Sequence, residues 1–200
     1  MILNSETFEK IRSGIISRLK EGLSPDLYYH CLEHTLDVER QAERIALSEG
    51  ISEAEDILLL RIACLFHDAG FMVAYAEHER EGCAIAEMAL SAFGLSPEQL
   101  AKVQGMIMAT KIPQTPHNKL EEIICDADLD YLGRDDFGPI SDQLFEELKV
   151  RGLVPDKKVW DGIQIRFFQQ HSYFTETTRK LRMEKKALHL QGIITRLESE

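Results

Sequence analysis

The residues of this chain best suited to chemistry are histidines and aspartates, and they come in short groups. In "YHCLEHTLDV" (29–38), His30 and His34 stand four apart and Asp37 follows. The surrounding pattern predicts one long helix over about 26–48. Residues four apart on a helix lie above one another, so both imidazoles are expected on one face, with Asp37 close to it. Such a pair can hold a metal ion or move protons, and an accidental pairing has the same spacing. In "LFHDAG" (65–70), His67 and Asp68 sit side by side at the end of the most apolar helical run. An ionised group there costs several kcal/mol unless a partner compensates, and a metal ion is a natural partner. The alternative is a solvated Asp68 and a His67 bonded to backbone. In "IICDADLDYLG" (123–133), Asp126, Asp128 and Asp130 follow an apolar run. Each helical residue turns by about 100°, so aspartates two apart cannot share a face. Helix phase alone leaves the choice between Asp126 and Asp128 open. Imidazole nitrogens and carboxylate oxygens from three helices would make a mixed site for a borderline or hard divalent ion.

Only helices are legible as the elements that must position these groups. An amphipathic segment near 5–20 is broken by "GLSP" (22–25), and the long helix that follows ends with Gly50 in a C′ position. "SEAE" (52–55) is close to a capping box and opens the apolar helix "DILLLRIACLFHD". A helix over about 77–93 stops at Gly94, and "SPEQ" (96–99) caps the next, which runs to about Thr110. The prolines of "KIPQTPHN" force a loop, after which "KLEEIICDADLDYLG" reads as a helix ended by Gly133. From Asp156 to about Glu198 the pattern gives one or two long amphipathic helices with an ambiguous break near Thr175. The expectation is a single all-α domain over 1–200, with the chemical groups in a core at about 26–133 and a helical extension at about 139–198.

Composition narrows the partners. With 44% hydrophobic and 28% charged residues the chain reads as soluble and globular, and its net charge of −11 argues against binding a nucleic-acid polymer while favouring a cation. No secretory signal and no bilayer-spanning run is seen, so a cytoplasmic protein that does not bind membranes is expected. The four cysteines, Cys31, Cys64, Cys83 and Cys125, read as buried free thiols. Among the remaining groups, His117 and His189 are expected at the surface and His171 at a core boundary. Lys111 could hold a substrate phosphate and Arg61 lies two turns before Asp68, although a solvated lysine and a snorkelling arginine account for both.

The order H…HD…D on helices resembles the HD superfamily of metal-dependent phosphohydrolases, here at His34, His67 with Asp68, and Asp128. In that family the last aspartate precedes a Leu-containing run, as in "ADL", which favours Asp128 over Asp126. "YHCLEHTLDV" is similar to the Y-H-x-x-x-H-x-x-D-V segment of cyclic-nucleotide phosphodiesterases in the same superfamily. The resemblance, over roughly 26–133, implies one or two divalent ions (Mn, Mg, Zn, Ni, Co or Fe) held by His34, His67, Asp68 and Asp128. It implies His30 as the general acid and Asp68 as a ligand with a catalytic part. "EHEREGCAIAEMAL" resembles the H-x-x-x-G segment of two-metal members, making His78 a candidate ligand of a second ion bridged by Asp68. The activity implied is hydrolysis of a small phosphate ester, with a nucleotide the leading substrate. The alternatives are a di-iron oxygenase and a catalytically silent nucleotide-sensing module. A homodimer is allowed, and the purine-clamping residues of the phosphodiesterases cannot be placed.

Overall fold

The computed structural model describes residues 3–199, and among them all regular structure is helical. The helices are α1 (Ser5–Gly22), α2 (Leu32–Ser48), α3 (Ala54–Phe66), α4 (His78–Ser91), α5 (Pro97–Ala109), α6 (Lys119–Asp128), α7 (Phe137–Val150), α8 (Lys157–Gln170) and α9 (Glu176–Glu198). Short 3-10 turns, Ala69–Met72 and Asp130–Gly133, follow α3 and α6. No described helix is long and apolar enough to cross a membrane.

α3 is apolar around most of its circumference and is therefore the central helix, buried through Leu59, Leu60, Ile62, Ala63, Cys64, Leu65 and Phe66. α1, α2, α4, α5 and α6 pack around it. Each outer helix contributes one stripe, such as Phe8, Ile11, Ile15 and Leu19 of α1. The three helices of the C-terminal extension lie beside this core, and α9 packs on α8 and on the turn after α6. Cys64 and Cys125 are buried, Cys31 and Cys83 half-buried, and all four are free.

Several ends follow the sequence rules. Gly50, at φ 82°, closes α2 with Ile51 N–H on Ala46 O and Gly50 N–H on Leu47 O. Ser96 and Gln99 form a full capping box on α5. Thr175 caps α9, so the ambiguous break near that residue is real and separates two helices.

Other ends depart from expectation, and the largest departure concerns the first histidine pair. α2 begins at Leu32, so His30 lies in the preceding turns and the two imidazoles are not stacked on one helix. The amides of Tyr29 and His30 are instead donated to the Glu147 carboxylate of α7, at 2.9 and 3.1 Å, which satisfies them outside a helix. α3 starts behind Glu53 with no side-chain cap, so the expected box at Ser52 does not form. α6 ends at Asp128 and tightens into the 3-10 turn, whose Gly133 touches α9: a Cβ there would sit 2.5 Å from Arg182 O. Close approach also explains Gly82, where a Cβ would lie 2.8 Å from Phe66 O, and this lets α4 lie against the end of α3.

Candidate metal centre

Four side chains from three helices converge. His34 projects from the first turn of α2, His67 and Asp68 stand at the C-terminal end of α3, and Asp128 is the last residue of α6. His34 Nε2 lies 3.1 Å from Asp128 Oδ1 and 3.5 Å from Asp68 Oδ2. His67 Nε2 lies 3.2 Å from Asp68 Oδ2 and 3.6 Å from Asp128 Oδ1. The atoms form a closed ring, and ligands about 2.1 Å from one ion and about 90–110° apart are themselves roughly 3.0–3.4 Å apart. His67 Nδ1 donates to Cys64 O at 2.7 Å, which leaves Nε2 as a lone-pair donor. His67 Nε2 and Asp68 Oδ2 are buried with no hydrogen-bond partner among the described residues. Orphaned buried atoms facing one another are what a bound cation would satisfy. The His34, His67 and Asp68 atoms all lie within 4.8 Å of one another, so these three residues fit a divalent ion, and Asp128 stands beside them.

The charges of the cluster work against its burial and prevail. Burial alone would push the Asp68 and Asp128 carboxyls up, yet the neighbouring imidazoles hold Asp68 well below the usual carboxylate range and Asp128 down to about 2. Burial would lower the His67 imidazole, and the two carboxylates instead raise it well above its ordinary value. A metal ion must displace that proton.

The three aspartates sort as the helix geometry requires. Asp126 faces α9 and accepts from Phe174 N, Thr175 N and Thr175 Oγ1 at 2.7–2.8 Å. Asp130 takes a bidentate pair of bonds from Arg182, both at 2.9 Å, and a further one from Arg44. Asp128 alone points to the ring, which resolves the choice left open by helix phase. Asp37 belongs elsewhere too, bound to Arg134 and Arg40.

His30 reaches the same region from the loop. Its Nδ1 meets Glu147 Oε1 at 2.5 Å, its ring stacks on Phe71 at 4.2 Å, and its centroid is 6.2 Å from that of His34. Glu147 is wholly buried and also accepts from Tyr75 Oη at 3.0 Å. Burial pushes its carboxyl up, but the His30 ring and the His30 and Tyr29 amides together outweigh this and hold it low. The sequence reading missed Glu147. Its one signal is phase: it falls on the stripe of α7 occupied by Ile140 and Leu144, where an apolar residue is expected.

His78 also stacks on Phe71, at 3.9 Å, with its centroid 6.1 Å from that of His30. Its Nε2 is 3.5 Å from Asp68 Oδ1 and 3.4 Å from Glu79 Oε1, so Asp68 turns one oxygen to the four-residue ring and the other to His78. The buried Glu79 is a second acidic group that the sequence reading did not single out.

The remaining candidates are not brought to the ring. Lys111 is held by Glu77 at 2.6–2.7 Å on the exterior. Arg61 binds Glu39 and Glu43 and lies over the Phe8 ring, and His117 is exposed. His189, expected at the surface, is half-buried: it bonds to Arg134 O at 2.8 Å and stacks on Phe137. His171 is a boundary histidine whose ring nitrogens have no partner among the described residues, and burial with nearby Lys186 lowers it to about 3.

Two cavities meet at the ring, sharing Tyr29, Asp128 and Tyr131. One, of ≈ 230 Å³, runs past His30 and Asp68 to α7 and α8. The other, of ≈ 420 Å³, passes His34 towards Asp37, Arg40 and Arg134. α7 lines both cavities and α8 the smaller one.

The HD domain family model matches residues 31–130, a span that includes His34, His67, Asp68, His78 and Asp128 but neither His30 nor Glu147. No curated protein matches the sequence. The crystal structure of a Lactobacillus plantarum protein, solved as a structural-genomics target, superposes with a TM-score of 0.68 at 15% identity, covering 100% of both chains. That likeness is one of fold.

Proposed function

Because the chain belongs to the HD domain family, within the superfamily of metal-dependent phosphohydrolases, we propose that it hydrolyses a small phosphate ester at the ring of His34, His67, Asp68 and Asp128. The observation that carries this reading is the buried, unpartnered pair His67 Nε2 and Asp68 Oδ2, set among ligand atoms from α2 and α6. A divalent ion held by these residues supplies a Lewis acid that makes water nucleophilic near neutral pH and draws charge from phosphoryl oxygens.

His30 is the proton donor. Glu147 engages Nδ1 and leaves Nε2 as the free ring nitrogen of a residue that lines the cavity. As the oxygen of water bonds to phosphorus, the bond from phosphorus to the ester oxygen breaks. That oxygen takes the His30 proton and leaves as an alcohol, and the proton shed by water restores His30 in net. Phe71 and Glu147 fix the plane and position of the ring during this exchange.

Element-specific mass spectrometry on the purified protein and on Asp68→Ala tests the reading. Near-stoichiometric divalent metal in the parent, its loss in the variant, and phosphate release by the parent alone are expected. His30→Ala should keep the metal and lose turnover, most of all for esters with poor leaving groups. Metal undiminished in Asp68→Ala would sink the assignment. A second reading rests on His78 Nε2, which lies 3.5 Å from Asp68 Oδ1 and 3.4 Å from Glu79 Oε1 and would share a second ion with them. Two irons per chain, with oxygen uptake and no phosphate release, would put oxygen activation ahead of hydrolysis.

A further inference from the structure

The ≈ 230 Å³ cavity has two unlike ends. At one stand His30, Asp68, His78 and Asp128. At the other the wall is Leu132, Leu144, Trp160, Ile163, Phe167 and Phe168, from the turn after α6 and from α7 and α8. Tyr29, Glu79, Thr110, Tyr131 and Gln164 are the other polar side chains of the lining, and Thr110 and Gln164 are already engaged. Thr110 Oγ1 donates to Ile107 O at 2.8 Å. Gln164 Oε1 accepts from the Ser141 hydroxyl at 2.6 Å, and Gln164 Nε2 donates to Asp161 Oδ1 at 3.1 Å. Asp161 is fixed in turn by Arg196 at 2.6 and 2.7 Å, and Ser141 receives the Trp160 indole N–H at 3.3 Å. Ser141, Asp161 and Gln164 are all buried, so turning the Gln164 amide towards a ligand would strip partners from two buried groups.

We infer that the ester carried to this site has an apolar substituent, a single aromatic ring or a branched hydrocarbon of that size, seated between α7 and α8 with its phosphoryl end at the metal ring. The assignment of the polar end rests on the phosphohydrolase reading; that of the apolar end rests on the cavity alone. Burial of apolar surface is the available driving force, and the aromatic walls suit a flat ring. The volume agrees: a cavity of about 150 Å³ is enough for benzene, and the excess here leaves space for the link to phosphorus. A nucleobase is the wrong shape of chemistry for the same wall. Its several donors and acceptors would face Leu, Ile and Phe side chains and go unpaired, a penalty of about tenfold or more in affinity.

Trp160 is the one tryptophan of the chain and lines the apolar end, so its fluorescence reports occupancy of this cavity and not of the Arg134 side. The experiment titrates the magnesium-loaded protein with phenylphosphonate, methylphosphonate and adenosine monophosphate while Trp160 emission is followed. Phosphate release from phenyl phosphate, glycerol phosphate and adenosine monophosphate is measured in parallel. Phenylphosphonate is expected to bind at least about tenfold more tightly than the other two and to move the emission. Ile163→Asn, or Phe167→Ala should the first variant fold poorly, should bring the phenyl-to-methyl preference towards parity. The inference is overturned if adenosine monophosphate binds as tightly as phenylphosphonate, or if phenylphosphonate binds without altering Trp160. Hydrolysis of all three esters at equal rates would also overturn it and leave the hydrolase reading intact. Selective binding of phenylphosphonate with no ester cleaved would support the apolar site and defeat the hydrolase reading.

Discussion

Glu147 and His30 lie 117 positions apart, and a single carboxylate on α7 decides what the imidazole can do. Its two oxygens take the Tyr29 and His30 amides and the His30 ring together, so loop and side chain are set by one residue. Glu147→Gln keeps the shape and removes the charge, and it places an amide N–H where the ring needs an acceptor. The expected result is unchanged metal content with kcat lowered by roughly 100-fold or more, since misassigning the tautomer of a catalytic histidine is costly. Steady-state kinetics beside metal analysis checks this; an unimpaired kcat would remove Glu147 from the machinery. The same variant has a stability signature. The folded carboxyl is held below its ordinary 4.5, so its contribution is whole above that value and is lost as pH falls through the lower folded one. Glu147→Gln should flatten that part of the stability–pH curve.

At the scale of elements, the end of α8 carries the largest unrelieved polarity outside the metal ring. His171 caps α8 with its backbone while its imidazole stacks on Phe167 and meets Tyr173 edge-on. Lys186 of α9 donates to Phe168 O and His171 O, satisfying the last carbonyls of α8 but repelling a charged imidazole. The folded value near 3 lies below the unfolded one of about 6.5. Stability is therefore full above about 6.5 and declines as pH falls towards 3, because the unfolded chain takes up a proton that the folded one refuses. His171→Phe should remove the decline and gain about 1–2 kcal/mol at pH 5, read as a higher denaturation midpoint at pH 5 with little change at pH 8. An equal gain at both values would mean that packing, and not protonation, sets the effect.

For the whole molecule, the ring of His34, His67, Asp68 and Asp128, where we propose that an ion binds, brings α2, α3 and α6 together at one point of the core. Without an ion these buried side chains are left with only one another, so the loss should be global. An ion present at about 100 times its dissociation constant stabilises by about 2.7 kcal/mol, or very roughly 5–10 °C for a chain of this size. Chelation should lower the thermal midpoint by that amount, and restoring the metal should recover it. Asp68→Ala should show no response to either treatment.

The sequence by itself determined the helical class, most helix ends and the order of the histidines and aspartates that meet in the ring, because periodicity, caps and glycines act within a few residues. His34, His67, Asp68 and Asp128 were legible for that reason, helped by the family pattern that they share. What the tertiary structure decided are contacts between distant segments. Helix phase could not separate Asp126 from Asp128 until α9 took the first and the histidines met the second. His30 left its expected helix because Glu147, remote in sequence, offered its amide a different acceptor. The apolar cavity has no local signature at all: Trp160, Ile163 and Phe167 read as ordinary core positions on α8, and only the packing of α8 beside the metal ring makes them walls. Periodicity encodes which face is buried; what that face is buried against depends on the whole chain.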